Sequence, residues 1–566
     1  MPPARHLTAR RMTYASSLLL AALLVGCKGS EPSSAGAGDS GGTLVIATPA
    51  DAGTLLPSLQ AGITDRQVTD LLYDRLAEIG DDLNTVGDKG FTPQLAERWT
   101  WAPDSLSIAF SINPRARWHD GQPVRAGDVR FSVSSIKDPA LGSPALPLVT
   151  NIDSVSVRDS VTAVVWFKRH TPEQFYDLVY QVAIVPEHVL SSTPAAGLKS
   201  ADVARRGVGS GRFRLAKWEP SARIELVADT SNYRGRPKLD RVVFAISPDF
   251  NAAVTRFFAG DADMFENLRP EQITKMKGDT MRRIVPYPTL GYTFMTFNTI
   301  DPKSPGQPHP IFGDRNVRRA LSMAVDRRAM LKNVFDTLGR ASYGPFPRSI
   351  SVADTTIAQL PYDPARAATL LDSAGWTRGP DGTRAKNGHR LAFGITVPNS
   401  SAARRQYAVL LQNAFKVVGA AATVEESDFP TFMSRLSGRA FDAAMANYNS
   451  DPGVSGSKQS WSTGGATKDG ANFGAYSNPV VDALLDSATS SFDPSRTRAF
   501  ARRAFETIVE DAPALWLFDL ASFAGIDRRV RPARLRPDAY WAHLADWWIP
   551  PAQRNARDKI GLRAAQ

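Results

Sequence analysis

A single cysteine, Cys27, is the feature that most limits how this chain of 566 residues can fold. One thiol excludes disulfide bonds within the chain and metal centres built from several thiolates. The length is sufficient for two or more domains. The cysteine lies between an apolar run and a stretch of serines and glycines, and this position indicates where the protein is located.

The N-terminal segment has the layout of a secretory signal peptide. Three arginines precede an apolar run at 15–25, which is too short to span a bilayer. Residues 24–27 resemble a lipobox, the pattern at which bacteria attach diacylglycerol to a cysteine and cleave before it. We therefore expect a signal peptide at 1–26 and a lipid anchor on Cys27, with a flexible tether at 27–41. The alternatives are an ordinary signal peptide with an incidental cysteine, or a buried thiol.

The remainder of the chain is expected to be soluble and outside the cytoplasm, because no later segment contains 18 consecutive apolar residues. The formal net charge is +11, but the basic residues are scattered and nearly balanced by acidic ones. The densest basic stretch, at 528–537, fits a solvated surface or a face that docks a partner. We expect no nucleic-acid partner.

Strand-like and helix-like patterns are mixed along the mature chain. Apolar patterns predict strands at 43–49, 105–112, 155–167, 223–230, 241–247 and 291–298, of which the second and third alternate like the strands of a hairpin. Helical spacing predicts one helix from Thr64 and another that begins near Asp314. Asp363, Pro364 and Gly375 bracket a further helix as its cap, first-turn proline and terminal glycine. The mixture predicts an α/β or α+β protein with several lobes.

No catalytic motif is evident in the sequence. His119 precedes Asp120, a pair more typical of a turn than of half of a catalytic triad. Residues 134–137 and 455–458 both match SxxK, but the companion motifs of penicillin-interactive enzymes are absent. Surface solvation explains a carboxylate pair in a turn-like segment, Asp261 and Asp263. We therefore expect no enzymatic activity, no metal site and no cofactor.

Several segments in chain order carry a family resemblance. The most specific, at 91–131, reads FTPQLAERWTWAPDSLSIAFSINPRARWHDGQPVRAGDVRF and contains LAE-W, W-DG-P and A-DV-F in succession. Later segments agree in order: GVGSGRF, YTFMTFN, YDPARAATLLDSAGW and FDAAMANYNSDP. The chain resembles the family 5 extracytoplasmic solute-binding proteins, the peptide and nickel class that includes dipeptide- and oligopeptide-binding proteins of ABC importers. The resemblance covers essentially the whole mature chain.

The resemblance implies an α/β fold of the type 2 periplasmic binding protein kind, with two lobes, a hinge and an extra domain. The boundaries it implies are 42–76, 207–285 and 516–566 for the discontinuous lobe I, 77–206 for the extra domain, and 286–515 for lobe II. Crossing segments near Val285 and Leu515 would form the hinge.

The resemblance also implies the ligand site. Peptide-binding members hold the α-amino group with an aspartate, and that place falls on Asp451 here, where a buried carboxylate would meet an ammonium group. The alternative is that the segment DPG is only a turn. Asn447, Tyr448 and Asn449 fall where relatives offer main-chain groups to the peptide.

Other residues are assigned to the site by the same resemblance. Gly62, Ile63 and Thr64 match a strand edge that faces the ligand on the opposite lobe, and Phe429 matches a pocket aromatic. Each has a core or turn alternative. No arginine matches a receptor for the peptide carboxylate, although Lys458 or Arg435 is available. The continuation PGVSGSKQSWSTGG is expected to be flexible, and Trp461 within it either stacks on a sugar or packs in a core.

The function implied is that of a lipid-anchored substrate-binding protein that captures di- or oligopeptides by hinge closure and delivers them to an ABC permease and its ATPase. The expected location is the cell envelope, on the periplasmic face of a bacterial membrane, and the expected state is a monomer. One alternative is that the same two-lobed protein, a clamp that closes on its ligand, binds a nickel chelate, haem, an oligosaccharide or an opine. Another is a sensor or chaperone that delivers its ligand to no transporter.

Overall fold

The structure, a computed structural model, describes residues 40–467 and 470–559. The predicted signal peptide, Cys27 and most of the predicted tether lie outside the described residues. No helix in the described ranges is long and apolar enough to cross a membrane.

Strands and helices are mixed as the sequence predicts. The strands are β1 (Thr43–Thr48), β2 (Ala77–Glu78), β3 (Thr92–Pro93), β4 (Ala96–Trp101), β5 (Ser107–Ile112), β6 (Ile152–Asp159), β7 (Thr162–Phe167), β8 (Phe213–Glu219), β9 (Arg223–Ala228), β10 (Arg241–Ile246), β11 (Met264–Phe265), β12 (Arg282–Phe297), β13 (Arg340–Ala341), β14 (Thr377–Arg378), β15 (Arg384–Lys386), β16 (His389–Arg390), β17 (Ala392–Pro398), β18 (Ala421–Ser427), β19 (Ala443–Asn449) and β20 (Ala514–Asp527). The α-helices are α1 (Ile63–Leu72), α2 (Ala126–Lys137), α3 (Gln174–Val179), α4 (Glu187–Leu190), α5 (Phe250–Ala259), α6 (Pro270–Lys275), α7 (Arg315–Met323), α8 (Arg327–Phe335), α9 (Pro364–Ser373), α10 (Ala402–Val417), α11 (Phe429–Ser437), α12 (Val454–Trp461), α13 (Pro479–Ser490) and α14 (Pro494–Asp511).

One large mixed sheet runs through the molecule in the order β18-β17-β19-β12-β20-β11-β1-β10-β9-β8. The long antiparallel strands β12 and β20 lie at its centre and extend into both halves. β19 pairs with β12 on one side of the centre, and β11 pairs with β20 on the other. Between these two pairings, residues 286–288 of β12 face residues 521–523 of β20, and the two strands form a ribbon that connects the halves.

Both halves of this sheet are covered on both faces. In one half, Leu44 and its neighbour Val45 belong to different hydrophobic cores. In the other half, Phe294 and Met295 of β12 are likewise divided between two cores. Because successive strand residues point to opposite faces, a strand buried on both sides is apolar without alternation. This explains the continuous apolar run TLVIAT in β1, in which every residue is buried.

A separate four-stranded antiparallel sheet, β4-β5-β7-β6, lies within the stretch expected to form the extra domain. Helix α2 packs against its strands β6 and β7. The predicted segment 155–167 is a hairpin by itself, β6 and β7, rather than one strand. The polar turn explains the division, because Asp159 accepts a hydrogen bond from the Val161 N–H at 2.9 Å.

The helix-end predictions near two aspartates are confirmed. Asp314 accepts a hydrogen bond from the Asn316 N–H at the start of α7, and Asp363 accepts one from the Arg366 N–H at the start of α9. Gly375, just after α9, has a φ of 82°, which a residue with a Cβ rarely adopts. The capping side chains therefore define both helices as their sequences indicate.

Strand β12 is longer than predicted, because it begins at Arg282 rather than Gly291. Pro286 and Pro288 interrupt the strand pattern in the sequence. The structure tolerates them because only β20 pairs with β12 at these positions, so the other edge needs no N–H donors. Prolines at an unpaired edge therefore shortened the predicted strand, although the family resemblance implies a crossing segment near Val285.

Candidate functional site

A cavity of about 440 Å³ lies at the ribbon that joins the two halves. Tyr287 and Ser522, which are paired across the ribbon, contribute to its surface. Residues from both halves and from the 77–206 region complete the lining: Ile63, Arg66, Tyr176, Tyr180, Gln181, Glu266, Thr289, Leu290, Asn449, Ser450, Asp451, Pro452, Pro537, Asp538, Ala539, Tyr540 and Trp541. The cavity thus has the position and size of a site for a small solute.

Asp451 presents an unpaired carboxylate to this cavity. Its side chain is accessible, and within the described residues no group donates a hydrogen bond to it. The surrounding protein excludes enough water to raise the pKa of Asp451, although the positive charge of Arg66 opposes the shift. Arg66 also forms an ion pair with Asp70, 3.6 Å away, which partly neutralises its charge. A carboxylate in this setting is stabilised by a cation that enters the cavity.

Further acidic groups surround Asp451. Glu266 lines the cavity, and burial raises its pKa although Gln67 donates a hydrogen bond to it at 2.7 Å. Burial raises the pKa of Asp177 to about 8, and the negative charges of Glu173 and Asp451 add to the shift. The local field therefore favours positively charged ligand groups.

Asn449 and Asn447 lie on the same side of β19 but contact different cavities. Asn449 lines the cavity that contains Asp451, whereas Asn447 lines a second cavity of about 250 Å³. Two residues along a strand span about 7 Å. The strand thus connects the two cavities over a distance comparable to one dipeptide unit.

The segment from Gly62 to Thr64 begins a helix, so the expected strand edge is wrong. Asp65 explains this, because its carboxylate accepts hydrogen bonds from the N–H groups of Gly62 and Ala61 at 3.0 and 3.1 Å and caps α1. Ile63, 54% exposed, lines the cavity. Thr64 is buried, and its hydroxyl donates to the Ala50 carbonyl at 3.1 Å, so its side chain has a structural role.

Two predicted aromatic residues do not line either cavity. Tyr448 packs against Phe294, with ring centroids 4.8 Å apart, and its hydroxyl donates to the carbonyl of Ala471. Phe429 is the first residue of α11; it is half exposed and stacks on Phe432. The structure thus brings Asp451, Asn449 and Ile63 together and leaves these two rings elsewhere.

The segment after Asp451 is helical, so the expectation of a flexible continuation is wrong. Helix α12 follows Gly453 directly, and Trp461 at its end is buried, with its indole N–H donating to the Tyr292 hydroxyl at 2.9 Å. Trp461 therefore packs in a core, the second of its two predicted roles. Burial of this ring determines the order of the segment despite its small polar residues.

Neither cation suggested as a carboxylate receptor is free. Lys458 pairs with Asp486 at 2.6 Å, and Arg435 pairs with Glu425 at 2.6 Å. Both pairs lie on helices or strands of the second half and satisfy these charges locally.

The residue that sequence reasoning missed is Arg404, on α10. It lines the second cavity beside Asn447, and burial lowers its pKa to about 10. Across the described ranges no carboxylate pairs with it, and its guanidinium donates only to the Met445 carbonyl, at 3.3 Å. Nothing in the string AARRQ distinguishes it from Arg405, which pairs with Glu426 at 3.4 Å. An unpaired, desolvated guanidinium is a receptor for a carboxylate.

The residues considered for catalysis have structural partners. His119 accepts a hydrogen bond from the Gly209 N–H at 3.1 Å, while Asp120 contacts His188 instead of its neighbour. Lys137 of the first SxxK match donates to the Asp153 carbonyl at 2.9 Å. The solvated explanation for Asp263 is wrong, because this residue is completely buried and pairs with two arginines, Arg529 and Arg557.

No group of three or more His, Cys, Asp or Glu side chains within 40–467 and 470–559 is arranged to hold a metal ion. The side chains that line this cavity and the second one include charged and hydrogen-bonding groups. The carboxylate of Asp451 and the guanidinium of Arg404 line two separate cavities, which β19 contacts at Asn449 and Asn447 respectively.

Comparison with known proteins decides the family. The profile described as "Bacterial extracellular solute-binding proteins, family 5 Middle" matches residues 90–470. This chain belongs to that family. Its relatives include the oligopeptide-binding protein AppA of Bacillus subtilis, 25% identical over 94% of this chain and 97% of that protein. Protein XP55 of Streptomyces lividans is 30% identical over 72% of each chain, and heme-binding protein A of Haemophilus influenzae is 24% identical over 83% and 85%.

Solved structures of family 5 proteins share the fold. The Listeria monocytogenes substrate-binding protein CtaP superposes with a TM-score of 0.77 at 20% identity, covering 90% of this chain and 100% of that one. AppA from Bacillus subtilis in complex with a nonapeptide gives 0.68 at 23% identity, covering 90% and 99%. NikZ from Campylobacter jejuni in complex with Ni(L-His) gives 0.70 at 21% identity, covering 89% and 99%. The two-lobed α/β fold expected from the sequence is thereby confirmed.

Proposed function

We propose that this chain is the substrate-binding lipoprotein of an ABC importer and that its ligand is a peptide. The observation that carries the proposal is the unpaired carboxylate of Asp451, which lies in the cavity between the lobes at the end of β19. A peptide ammonium group placed there would form a charge-assisted hydrogen bond in a partly dry site. The names of the relatives AppA and CtaP, an oligopeptide-binding protein and a transporter substrate-binding protein, support this assignment.

The second receptor extends the binding mode to the other end of the peptide. In this proposal Asp451 holds the ammonium, Asn449 and Asn447 hydrogen bond along the backbone, and Arg404 receives the carboxylate. Main-chain recognition of this kind gives affinity for many sequences, because every peptide has the same backbone groups. The apolar wall near Arg404, which includes Phe335 and Phe518, would accept the last side chain.

The ribbon of β12 and β20 supplies the flexible connection between the lobes in the proposed mechanism. An unliganded clamp samples open and closed arrangements, and a peptide that contacts both lobes shifts the population toward the closed one. The proposed lobes are 42–76 with 207–285 and 516–566, and 286–515, while 77–206 is the extra domain. The closed form is then recognised by the permease, and the ATPase drives release; this chain itself carries out no chemical step.

The location follows from the N-terminal segment, which lies outside the described residues. We propose that the signal at 1–26 is removed, that Cys27 is lipidated, and that the monomer is held at the periplasmic face of a bacterial membrane. A Cys27→Ser variant should then move from the detergent phase to the aqueous phase in a cloud-point extraction. Retention of the variant in the detergent phase would contradict the anchor.

A second class of cargo is supported by relatives, since one is named as haem-binding and one structure contains Ni(L-His). In that case the same clamp would hold a chelate or a macrocycle. The unpaired carboxylate of Asp451 favours the peptide, because it matches an ammonium group. Stacking of a sugar on Trp461 is not part of the proposal, since that ring is buried.

Native mass spectrometry tests the peptide assignment. A soluble chain beginning at Lys28 is expressed and purified, and its native and denatured mass spectra are compared. We expect a set of ligand masses, spaced by amino-acid residues, that dissociates on denaturation. A single mass that fits a haem or a metal chelate would contradict the peptide assignment while leaving the clamp intact.

A further inference from the structure

The 77–206 region contacts the opposite lobe at the rim of the cavity. Glu173, which directly precedes α3, accepts a hydrogen bond from the Thr85 hydroxyl at 2.8 Å within that region. Its other carboxylate oxygen accepts a hydrogen bond from the hydroxyl of Ser455, on helix α12 of the opposite lobe. One half-buried carboxylate thus joins two parts of the chain that face each other across the cavity.

Gly453 allows this contact. A Cβ at this position would lie 2.0 Å from Glu173 Oε1 and 3.2 Å from Thr85 Oγ1, so no larger residue fits without displacing the carboxylate. A second contact lies nearby, because the rings of His170 and Phe492 approach to 3.9 Å between centroids. The segment around Glu173 is therefore closely fitted to the opposite lobe.

The same carboxylate is electrostatically linked to the proposed ligand residue. Gly453 follows Asp451 by two positions, and the negative charge of Asp451 disfavours ionisation of both Glu173 and Asp177. Arg66 on α1 faces Asp451, but it also forms an ion pair with Asp70. The carboxylates of Glu173 and Asp451 therefore lie on either side of the contact between the 77–206 region and helix α12, where like charges repel one another.

We propose that Glu173 is a positioning residue that clasps the 77–206 region onto helix α12, and that the clasp tightens when a positive charge occupies Asp451. This inference rests on the proposed function only for the positive charge of the ligand. Without that charge, repulsion between the carboxylates of Glu173 and Asp451 weakens the contact; with it, the hydroxyls of Thr85 and Ser455 hold the Glu173 carboxylate. The contact between the extra domain and helix α12 would thus depend on whether a ligand occupies the cavity.

Two substitutions of opposite effect test the clasp. Glu173→Gln keeps an acceptor for Ser455 but removes the charge, so the unliganded chain should close more than the unchanged protein. Gly453→Ala blocks the approach of Glu173, so closure should remain incomplete even with ligand. Ser455→Ala, which removes the hydroxyl donor without adding bulk, should reproduce the second effect if Gly453→Ala fails to fold.

Distances between spin labels give the readout. The chain beginning at Lys28 has no native cysteine, so labels attach only at introduced Thr100→Cys and Gln406→Cys, both exposed positions in the facing parts. Pulsed electron paramagnetic resonance is recorded without ligand and with trialanine. The matched control is Glu187→Gln, an acid of the same region that lies 3.5 Å from Arg130.

In the absence of ligand, we expect Glu173→Gln to at least double the closed fraction and Glu187→Gln to leave it unchanged. An unliganded Glu173→Gln chain that is no more closed than the unchanged chain overturns the inference, whether or not trialanine binds. Failure of trialanine to close the unchanged chain, together with the Glu173→Gln effect, would instead reject the peptide assignment and support the clasp. Full closure of both Gly453→Ala and Ser455→Ala with ligand also overturns the inference.

Discussion

The backbone N–H of Ser450 donates a 2.8 Å hydrogen bond to the carbonyl of Leu290, which fixes the residue before Asp451 to strand β12. The contact lies where β19 ends, just beyond the last pair between Asn449 and Gly291. Asp451 therefore leaves the sheet directly beside the ribbon that joins the lobes. In the proposed mechanism, a charge placed there would act on both lobes, so that one carboxylate would couple ligand binding to closure.

The carboxylate receptor is tested by Arg404→Gln. If Arg404 binds the peptide carboxylate, the variant should bind trialanine about 10- to 100-fold more weakly, since loss of a charge-assisted hydrogen bond costs about 1.5–3 kcal/mol. The loss should disappear with trialanine amide, which has no carboxylate. Isothermal titration calorimetry measures both.

The neighbouring residue provides the matched control for that experiment. Arg405→Gln removes the same charge from the same helix but breaks only an exposed pair with Glu426 at 3.4 Å. We expect its affinity for trialanine to stay within about twofold of the unchanged chain. Equal losses of affinity for trialanine in Arg404→Gln and Arg405→Gln would show that removal of any positive charge from α10 weakens binding.

The raised pKa of Asp177, about 8, predicts a pH dependence of stability. The folded state holds this proton more tightly than the unfolded state. This difference in proton affinity stabilises the folded state. The stabilisation is fully present below about pH 4 and is lost as the pH rises through about 8. In Asp177→Asn that contribution no longer varies, so the variant should be more stable than the unchanged chain at pH 8 by about 1–3 kcal/mol and equal to it at pH 4. Urea unfolding across this range measures the difference.

An exposed aspartate of the same region serves as the control for this measurement. Asp153→Asn, on β6, should unfold like the unchanged chain at every pH. A parallel pH profile in Asp177→Asn and the unchanged chain would show that Asp177 is not the group responsible.

The structural role of Trp461 predicts a loss of stability without a loss of binding. Trp461→Phe removes the buried hydrogen bond to Tyr292 and part of the ring volume, and it should lower the free energy of unfolding by about 2 kcal/mol. Trp166→Phe is the control, since that indole is 45% exposed and donates to Ser156 at the surface. Weaker trialanine binding in a Trp461→Phe chain that remains folded would place the ring in the site instead.

The sequence predicted those features that depend on local side chains. The helices after Asp314 and Asp363 begin where a capping carboxylate stands beside their first N–H groups. The family resemblance identified Asp451, which the structure places at the cavity as an unpaired carboxylate. Local hydrogen bonds and the order of motifs depend on the sequence alone, so a single sequence is enough to predict them.

Features that depend on partners distant in sequence were missed. Arg404 and Arg405 are identical in type, and only the absence or presence of a carboxylate on another element separates them. Asp263 was expected at the surface, but arginines from the C-terminal segment bury and neutralise it.

The most direct test of the central claim compares trialanine with N-acetyl-trialanine, which lacks the ammonium group, in calorimetric titrations. The unchanged chain should bind the free peptide about 30- to 1,000-fold more tightly, because the acetylated peptide leaves the Asp451 carboxylate unpaired. Asp451→Asn should bind the two peptides within about threefold of each other, while Asp153→Asn keeps the full difference. Equal affinity of the unchanged chain for both peptides would contradict the assignment of Asp451 as the receptor for the ligand's positive charge.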